Sequence, residues 1–252
     1  MNGVSTIIAV GGDGTINEVV NGFFDVSNEP IDTPILGLIP SGTGGDYRKS
    51  WGMKRDISES LQRIVRGKLT VADLGRIDCV SMDGSPLTRY FANVASFGMS
   101  ANVCRRVNRS GKRLGGRLTF FLASARSIVE YKNRRVTMTS HHGERTGYVR
   151  VGAVCIGQYF GAGMRIGPDA NVGDGLFDIV TLGDLNRIQM LGMTSLYSGK
   201  HLAHPRVHHE RSRTFRASPE DSEPTYIEAD GEVIGRLPAT FTIVPGAMQV
   251  IS

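Results

Sequence analysis

Two glycine-rich turns hold the densest chemistry in the chain. Gly11-Gly12-Asp13-Gly14-Thr15 follows the β-branched apolar run Thr6 to Val10 and precedes Ile16, Val19, Val20 and Phe23 at helical spacing, a pattern that predicts strand, turn and helix. Paired glycines let a backbone approach a ligand closely, and the free N–H groups of a helix starting near Thr15 would face a phosphate. Asp13 is out of place in a pure anion trap, because a carboxylate repels phosphate unless Mg2+ lies between them or the acid serves as a base. The combination suggests MgATP. The plainer reading is a tight strand-to-helix connection in which Asp13 caps the helix. The second turn, Pro40-Ser-Gly42-Thr43-Gly-Gly45-Asp46, ends the apolar run Ile35 to Ile39. In a parallel sheet it would set Thr43 beside the first turn and make a crevice.

A third segment, Asn171-Val-Gly-Asp174-Gly-Leu176-Phe-Asp178, places two carboxylates around a glycine turn. Side-chain and carbonyl oxygens there could ligate Mg2+ or Ca2+; a metal-free Asp-Gly turn reads nearly as well. His201, His204, His208 and His209 invite zinc, but Pro205 interrupts helical spacing and no cysteine is near, so a surface loop is favoured.

The elements that must position these groups fall into two textures. Up to about Asp73, short apolar strands alternate with helices, the last marked by Ile57, Leu61, Ile64 and Val65, which predicts a parallel sheet covered on both faces. Beyond it come Arg89 to Ser96, Arg135 to Ser140, Tyr148 to Ile156, Leu176 to Leu182, Thr225 to Ala229 and Ala239 to Val244, with hairpin signals at Asp83-Gly84, His142-Gly143 and Asp230-Gly231. Many short strands with few helices predict an antiparallel sandwich or barrel. Two helical stripes interrupt it, Leu118, Phe121, Leu122, Ala125 and Val129, then Ile188 to Tyr197. The expected fold is therefore an α/β nucleotide-binding domain over 1–73 and a mostly antiparallel β-sandwich domain over 74–252, whose last residues return to the first.

Composition sets outer bounds. The 252 residues suffice for one large or two modest domains, which excludes a disordered tail or a disulfide miniprotein, and no apolar run nears the ~18 residues of a membrane span. The 32 glycines, nearly twice the ~7% average, belong in turns and close approaches. A net charge of +5 favours anionic partners. Cys79, Cys104 and Cys155 are scattered, which fits a reducing compartment. The first residues lack the features of a signal peptide, so a cytoplasmic location is expected.

With these motifs in order, the sequence resembles the diacylglycerol kinase catalytic-domain family of lipid kinases, which includes bacterial diacylglycerol kinases and sphingosine kinases. The resemblance rests on Gly11-Gly12-Asp13-Gly14-Thr15-Ile-Asn17-Glu18 and Ile39-Pro-Ser-Gly-Thr43-Gly-Gly-Asp46. It continues through Ala72-Asp-Leu-Gly75, Phe91-Ala-Asn93-Val-Ala-Ser-Phe-Gly98, Gly173-Asp-Gly-Leu176 and Asp230-Gly-Glu232. It implies an ATP- and Mg2+-dependent kinase acting on a lipid hydroxyl in a cleft between the two domains. Gly11, Gly12, Asp13, Gly14, Thr15, Asn17, Glu18, Gly42 and Thr43 would hold the nucleotide, with Asp13 at the phosphate end. Glu232 would accept the lipid proton, with Asp230 close behind it, and Asn171, Asp174 and Leu176 would ligate a structural metal. Gly45 stands where the family commonly has Asn. The family's domain also opens with a strand, a phosphate-binding glycine loop, a helix and a further strand, ~30 residues or more. None precedes Met1, so the expectation is an N-terminally incomplete nucleotide domain, from a chain that starts late or from a short form.

Arg105, Arg106, Arg109, Lys112, Arg113 and Arg117 form a basic stretch before the stripe at Leu118. It could dock an anionic bilayer, as peripheral association with a lipid substrate requires; a solvated loop before a core helix reads at least as well. No nucleic-acid motif accompanies the charge, and a homodimer is an open partner. The rival readings are an NAD kinase-like enzyme, whose Thr-Pro-Thr-Gly-Ser-type motif is missing, and a non-catalytic nucleotide- or lipid-binding relative.

Overall fold

The computed structural model describes residues 6–25, 34–42, 44–110 and 116–252. The first apolar runs form β1 (Thr6–Gly11) and β2 (Ile35–Pro40), paired in parallel, with α1 (Asp13–Asn21) between them. The short α2 (Asp46–Ser50) and α3 (Ile57–Arg66) follow β2. Asp56 caps α3 by accepting the N–H of Glu59 at 2.8 Å, and Gly67 closes it at a left-handed φ of 65°, the standard device for ending a helix.

The chain then becomes antiparallel. β3 (Leu69–Ser81) pairs with β4 (Pro86–Phe91); β5 (Val94–Gly98) leads into α4 (Met99–Ser110) and α5 (Gly116–Glu130). Next come β6 (Arg134–Ser140), β7 (Gly143–Val149), β8 (Val151–Cys155), β9 (Phe177–Leu182), α6 (Arg187–Leu191) and α7 (Ser195–Ser198). A 3-10 turn at Lys200–Ala203, β10 (Val207–Ser212), β11 (Thr214–Pro219), β12 (Tyr226–Ala229) and β13 (Glu232–Ile251) complete the chain. Strands run in the order β10-β9-β8-β5-β12-β13-β11-β6-β7. Phe91, Phe97, Phe177, Phe215 and Phe241, each fully buried, fill the space within these strands. β13 is long enough to serve both regions: it pairs antiparallel with β3 from Gly235 to Ile251, and its end runs parallel to β2 with Gln249 opposite Ile35. The α/β-then-antiparallel fold class read from the sequence is the one observed.

Three local expectations change. Arg89 to Ser96 is not one strand; Ala92 and Asn93 break it into β4 and β5 because both donate their N–H groups to Asp230. The first half of the basic stretch is helical: Arg105, Arg106 and Arg109 lie on α4, while Lys112 and Arg113 fall outside the described residues. Two helices face the opposite way from a core-seeking stripe. On α5, Leu118, Phe121, Leu122 and Val129 are exposed, while Thr119, Ala123 and Ser127 are buried. On α3, Ile57, Leu61 and Val65 are exposed, while Ser60 and Arg63 are buried, Arg63 donating to the Leu38 carbonyl at 3.0 Å.

Candidate active site

The two glycine turns touch. A side chain on Gly42 would stand 2.5 Å from Gly12 Cα, and one on Gly12 would stand 3.1 Å from Gly42 Cα, so both glycines are needed for the backbones to approach. Gly11 O receives the N–H groups of Ser41 at 2.9 Å and Gly42 at 3.3 Å, and the Thr15 side chain folds over Gly11, whose Cβ would meet Thr15 Oγ1 at 2.3 Å. Thr43 lies outside the described residues.

Asp13 does not cap its own helix. Its Oδ2 accepts the N–H groups of Gly45 (3.0 Å) and Asp46 (3.2 Å), and its Oδ1 that of Tyr47 (3.0 Å). It thus supplies, from the first turn, the acceptor that the start of α2 lacks in itself, since Gly45 at the N-cap has no side chain to do so. The N-cap of α1 is Gly12, with no side-chain cap, which leaves that helix start polar and open to an anion. Gly14 sits there with space on its Cβ side; among the described residues the one atom a Cβ there would approach is Glu232 Oε1, at 3.9 Å.

The acidic turn between β12 and β13 faces this helix start, and its two acids behave differently. Asp230 holds backbone: Oδ2 accepts from Ala92 N (2.9 Å) and Asn17 Nδ2 (3.2 Å), and Oδ1 from Asn93 N (3.0 Å) and Val94 N (3.1 Å). Burial pushes its carboxyl up to about 6 against the pull of those donors. Glu232 is exposed and, among the described residues, receives one hydrogen bond, from Asn108 Nδ2 of α4 at 3.2 Å. Asn17, expected at the nucleotide, is buried behind the site, its amide bonded to Asp230 and to the Tyr90 carbonyl. Glu18 is exposed on α1.

Several residues outside the expected set complete the site. Asp46, buried at the start of α2, pairs with Lys49 Nζ at 2.8 Å and accepts the Ala162 N–H at 2.9 Å; burial raises its carboxyl above the usual range despite the lysine. Asn93 receives Ser50 Oγ at 2.9 Å and donates to the Tyr159 carbonyl at 2.7 Å, tying α2 to the strands. Glu228 is 3% exposed, and burial pushes it up to about 7. Behind Asp13, Asp46 and Asp230 opens a cavity of about 280 Å³, walled mainly by apolar side chains of α4, α5 and β8 such as Met99, Val103, Phe120 and Val151. Only the motif membership of Asn93 and Asp46 signalled them in advance. Glu228 was legible as an acid inside an otherwise apolar strand.

The third segment lies apart from this crevice. Asn171 Oδ1 accepts Gly173 N, Asp174 Oδ1 accepts Leu176 N at 3.1 Å, and the other Asp174 oxygen pairs with Arg211. Asp73 ties the loop down through Gly175 N at 2.7 Å. Among the described residues no three His, Cys, Asp or Glu side chains converge to hold a metal.

Comparisons with known proteins show the family and the fold. The family model described as the diacylglycerol kinase catalytic domain matches residues 1–77, and the YegS C-terminal NAD kinase beta sandwich-like domain matches 93–252. A Staphylococcus saprophyticus diacylglycerol kinase is 26% identical over 98% of this chain and 76% of its own, and one from Bacillus subtilis is 27% identical over 93% and 73%. Among solved structures, a candidate diacylglycerol kinase from Bacillus anthracis strain Sterne superposes at a TM-score of 0.74 with 21% identity, covering 98% of this chain and 78% of that one. Yeast NADH kinase superposes at 0.54 with 10% identity, covering 98% and 60%. The structural likenesses speak to the fold.

Proposed function

Because the chain belongs to the diacylglycerol kinase catalytic-domain family, with the YegS-type sandwich domain covering 93–252, we propose that it transfers the γ-phosphate of ATP to the hydroxyl of a lipid alcohol, diacylglycerol being the acceptor named for its relatives. The observation that carries this reading is the position of Glu232. An exposed carboxylate lies near Gly14 at the open start of α1 and next to Gly231, which lines an apolar cavity together with Asn108, Asp13, Asp46 and Asp230. A phosphate-binding helix start, a proton acceptor and an apolar chamber are the three things a lipid kinase must bring together.

In this reading the lipid chain lies in the cavity and its hydroxyl points out toward Glu232. Glu232 takes the hydroxyl proton as the alcohol oxygen attacks the γ-phosphorus, and ADP leaves. The nucleotide phosphates lie at Gly12 to Thr15, close to Gly42. The donor set is all carboxylate, which suits Mg2+ rather than a softer metal. Mg2+ would be held at Asp13 or Asp46 together with phosphate oxygens and water, and it would supply neutralisation of the phosphate charge. Asp230 fixes the Ala92–Val94 backbone and so positions the turn that carries Glu232. At the third segment, Asp174 would ligate a structural cation by exchanging its Arg211 partner, with the Asn171 and Leu176 carbonyls beside it. An apolar chamber suits a lipid better than the dinucleotide of the NAD kinase alternative.

We place the membrane contact on the outward stripe of α5 and the neighbouring Ile188 and Leu191 of α6, all exposed, beside the basic residues of α4. No helix of the described residues is long and apolar enough to cross a membrane, so the association would be peripheral. The residues up to Asp73 serve the nucleotide and those from Leu74 the acceptor. The test is transfer of labelled phosphate from MgATP to dioleoylglycerol in mixed vesicles. Transfer that vanishes in Glu232→Gln is expected; a wild-type protein that labels no lipid would overturn the assignment.

A further inference from the structure

Ser100 sits in the wall of the apolar cavity near the start of α4. Its hydroxyl is not spent on backbone like that of Ser124, another cavity serine, which donates to the Phe120 carbonyl at 2.8 Å. Instead Ser100 Oγ lies 2.6 Å from Ser96 Oγ, and Ser96 Oγ is hydrogen-bonded to Glu228 Oε1. Ser96 is fully buried and Glu228 nearly so; the other Glu228 oxygen accepts the Gly231 N–H at 2.9 Å. A buried carboxylate is costly, and the hydroxyl chain that leads from this one ends in the cavity wall.

We propose that Ser100, backed by Ser96 and Glu228, is an acceptor-positioning site that hydrogen-bonds a second oxygen of the lipid, an ester carbonyl or a hydroxyl next to the one phosphorylated. The proposal rests on the lipid-kinase reading. A hydroxyl owns a single hydrogen, so the chain has two directions. With Glu228 ionised, Ser96 donates to it, Ser100 donates to Ser96, and a lone pair of Ser100 faces the cavity, suited to a lipid hydroxyl. With Glu228 neutral, the acid donates to Ser96, Ser96 to Ser100, and the Ser100 hydrogen faces the cavity, suited to an ester carbonyl. The groups whose charge reaches Glu228 are Asp230 and Glu232 of the adjoining turn, Cys104 of α4 and Cys155 of β8.

Calorimetric titration of the full chain with three probes tests this: dioctanoylglycerol, which carries ester carbonyls, 1,2-decanediol, which carries a second hydroxyl, and n-decanol, which has neither. Ser100→Ala should weaken the first two about 5-fold and leave n-decanol unchanged. Glu228→Gln must direct its amide hydrogen at Ser96, so it should keep dioctanoylglycerol, weaken the diol, and abolish the change in preference between the two that the wild type shows from pH 5.5 to pH 8.5. Equal weakening of all three probes in Ser100→Ala, no weakening of any, or failure of the wild type to bind dioctanoylglycerol overturns the proposal. Selective weakening in a protein that labels no lipid with MgATP would instead sink the kinase reading and leave the binding site standing.

Discussion

The carboxylate of Asp13 accepts the backbone N–H of Tyr47 at 3.0 Å, 34 residues along the chain. With the Gly45 and Asp46 bonds to its other oxygen, Asp13 locks the second glycine turn onto the first. The residue most suggestive of phosphate chemistry is therefore also a structural clamp. Asp13→Ala should cost about 1–3 kcal/mol of stability in urea denaturation, the range for unsatisfied buried donors and a lost cap, and should also eliminate phosphate transfer. Asp13→Asn keeps one acceptor oxygen and should recover part of the stability while transfer stays low. Full activity in Asp13→Asn would assign the residue to structure alone.

Glu232 and Asp230 should separate cleanly under substitution. Glu232 is exposed and takes one hydrogen bond among the described residues, so Glu232→Gln should leave stability within about 0.5 kcal/mol while lowering kcat by ~10²–10⁴, the usual contribution of a general base. Asp230 accepts four hydrogen bonds and holds a left-handed φ of 49°. Asp230→Ala should lose roughly 2–4 kcal/mol, by orphaned N–H groups and by backbone strain. Asp230→Asn, tolerant of that φ and still an acceptor, should restore much of it. A stable Asp230→Ala beside an unfolded Glu232→Gln would exchange the two roles.

Much of this arrangement was legible because its determinants are local. Each glycine turn follows an apolar run, and the alternation of strand and helix ends near Asp73 where hairpin signals begin. What escaped depends on partners distant in sequence. Periodicity finds an apolar stripe on α3 and α5 but not which way it faces. Arg63 is drawn inward by the Leu38 carbonyl, and on α5 the small Thr119, Ala123 and Ser127 fit the packed side better than the bulky stripe does. Likewise, nothing near Asp13 reveals that it accepts three N–H groups at the start of α2, and Glu228 gains meaning only from Ser96, 132 residues away.

The outward face of α5 makes a prediction about interfaces. Phe121 is 67% and Leu122 49% exposed, and both lie on the same side of a helix whose next neighbour, α4, carries arginines. Phe121→Ser with Leu122→Ser removes apolar area that would insert at a bilayer surface, worth roughly 2–3 kcal/mol at about 25 cal/mol per Å². Binding to vesicles of mixed neutral and anionic lipid, followed by co-sedimentation, should fall at least 10-fold. Transfer to a short-chain acceptor dissolved without vesicles should be unchanged. Equal loss in both assays would place these side chains in the fold or the cavity wall instead.

His209 supplies a pH dependence with a defined sign. Its Nε2 lies 2.7 Å from Asp178 Oδ1, and Asp178 is completely buried. The bond to that carboxylate is the main reason the imidazole is held above its ordinary value, against the effect of burial. A histidine raised by folding binds its proton more tightly in the native state, so its stabilisation is fully present below the unfolded value of about 6.5 and is lost as pH rises through the raised native value. His209→Gln should therefore be less stable than the wild type by about 1 kcal/mol or less at pH 6, given the partial exposure of the ring, and the gap should close by pH 9. Arg211 Nε, 3.3 Å from the other Asp178 oxygen, remains in the variant and keeps the buried acid paired. Urea midpoints at the two pH values give the measurement. A gap of the same size at both would mean that His209 contributes shape and a neutral hydrogen bond, with no part played by its charge.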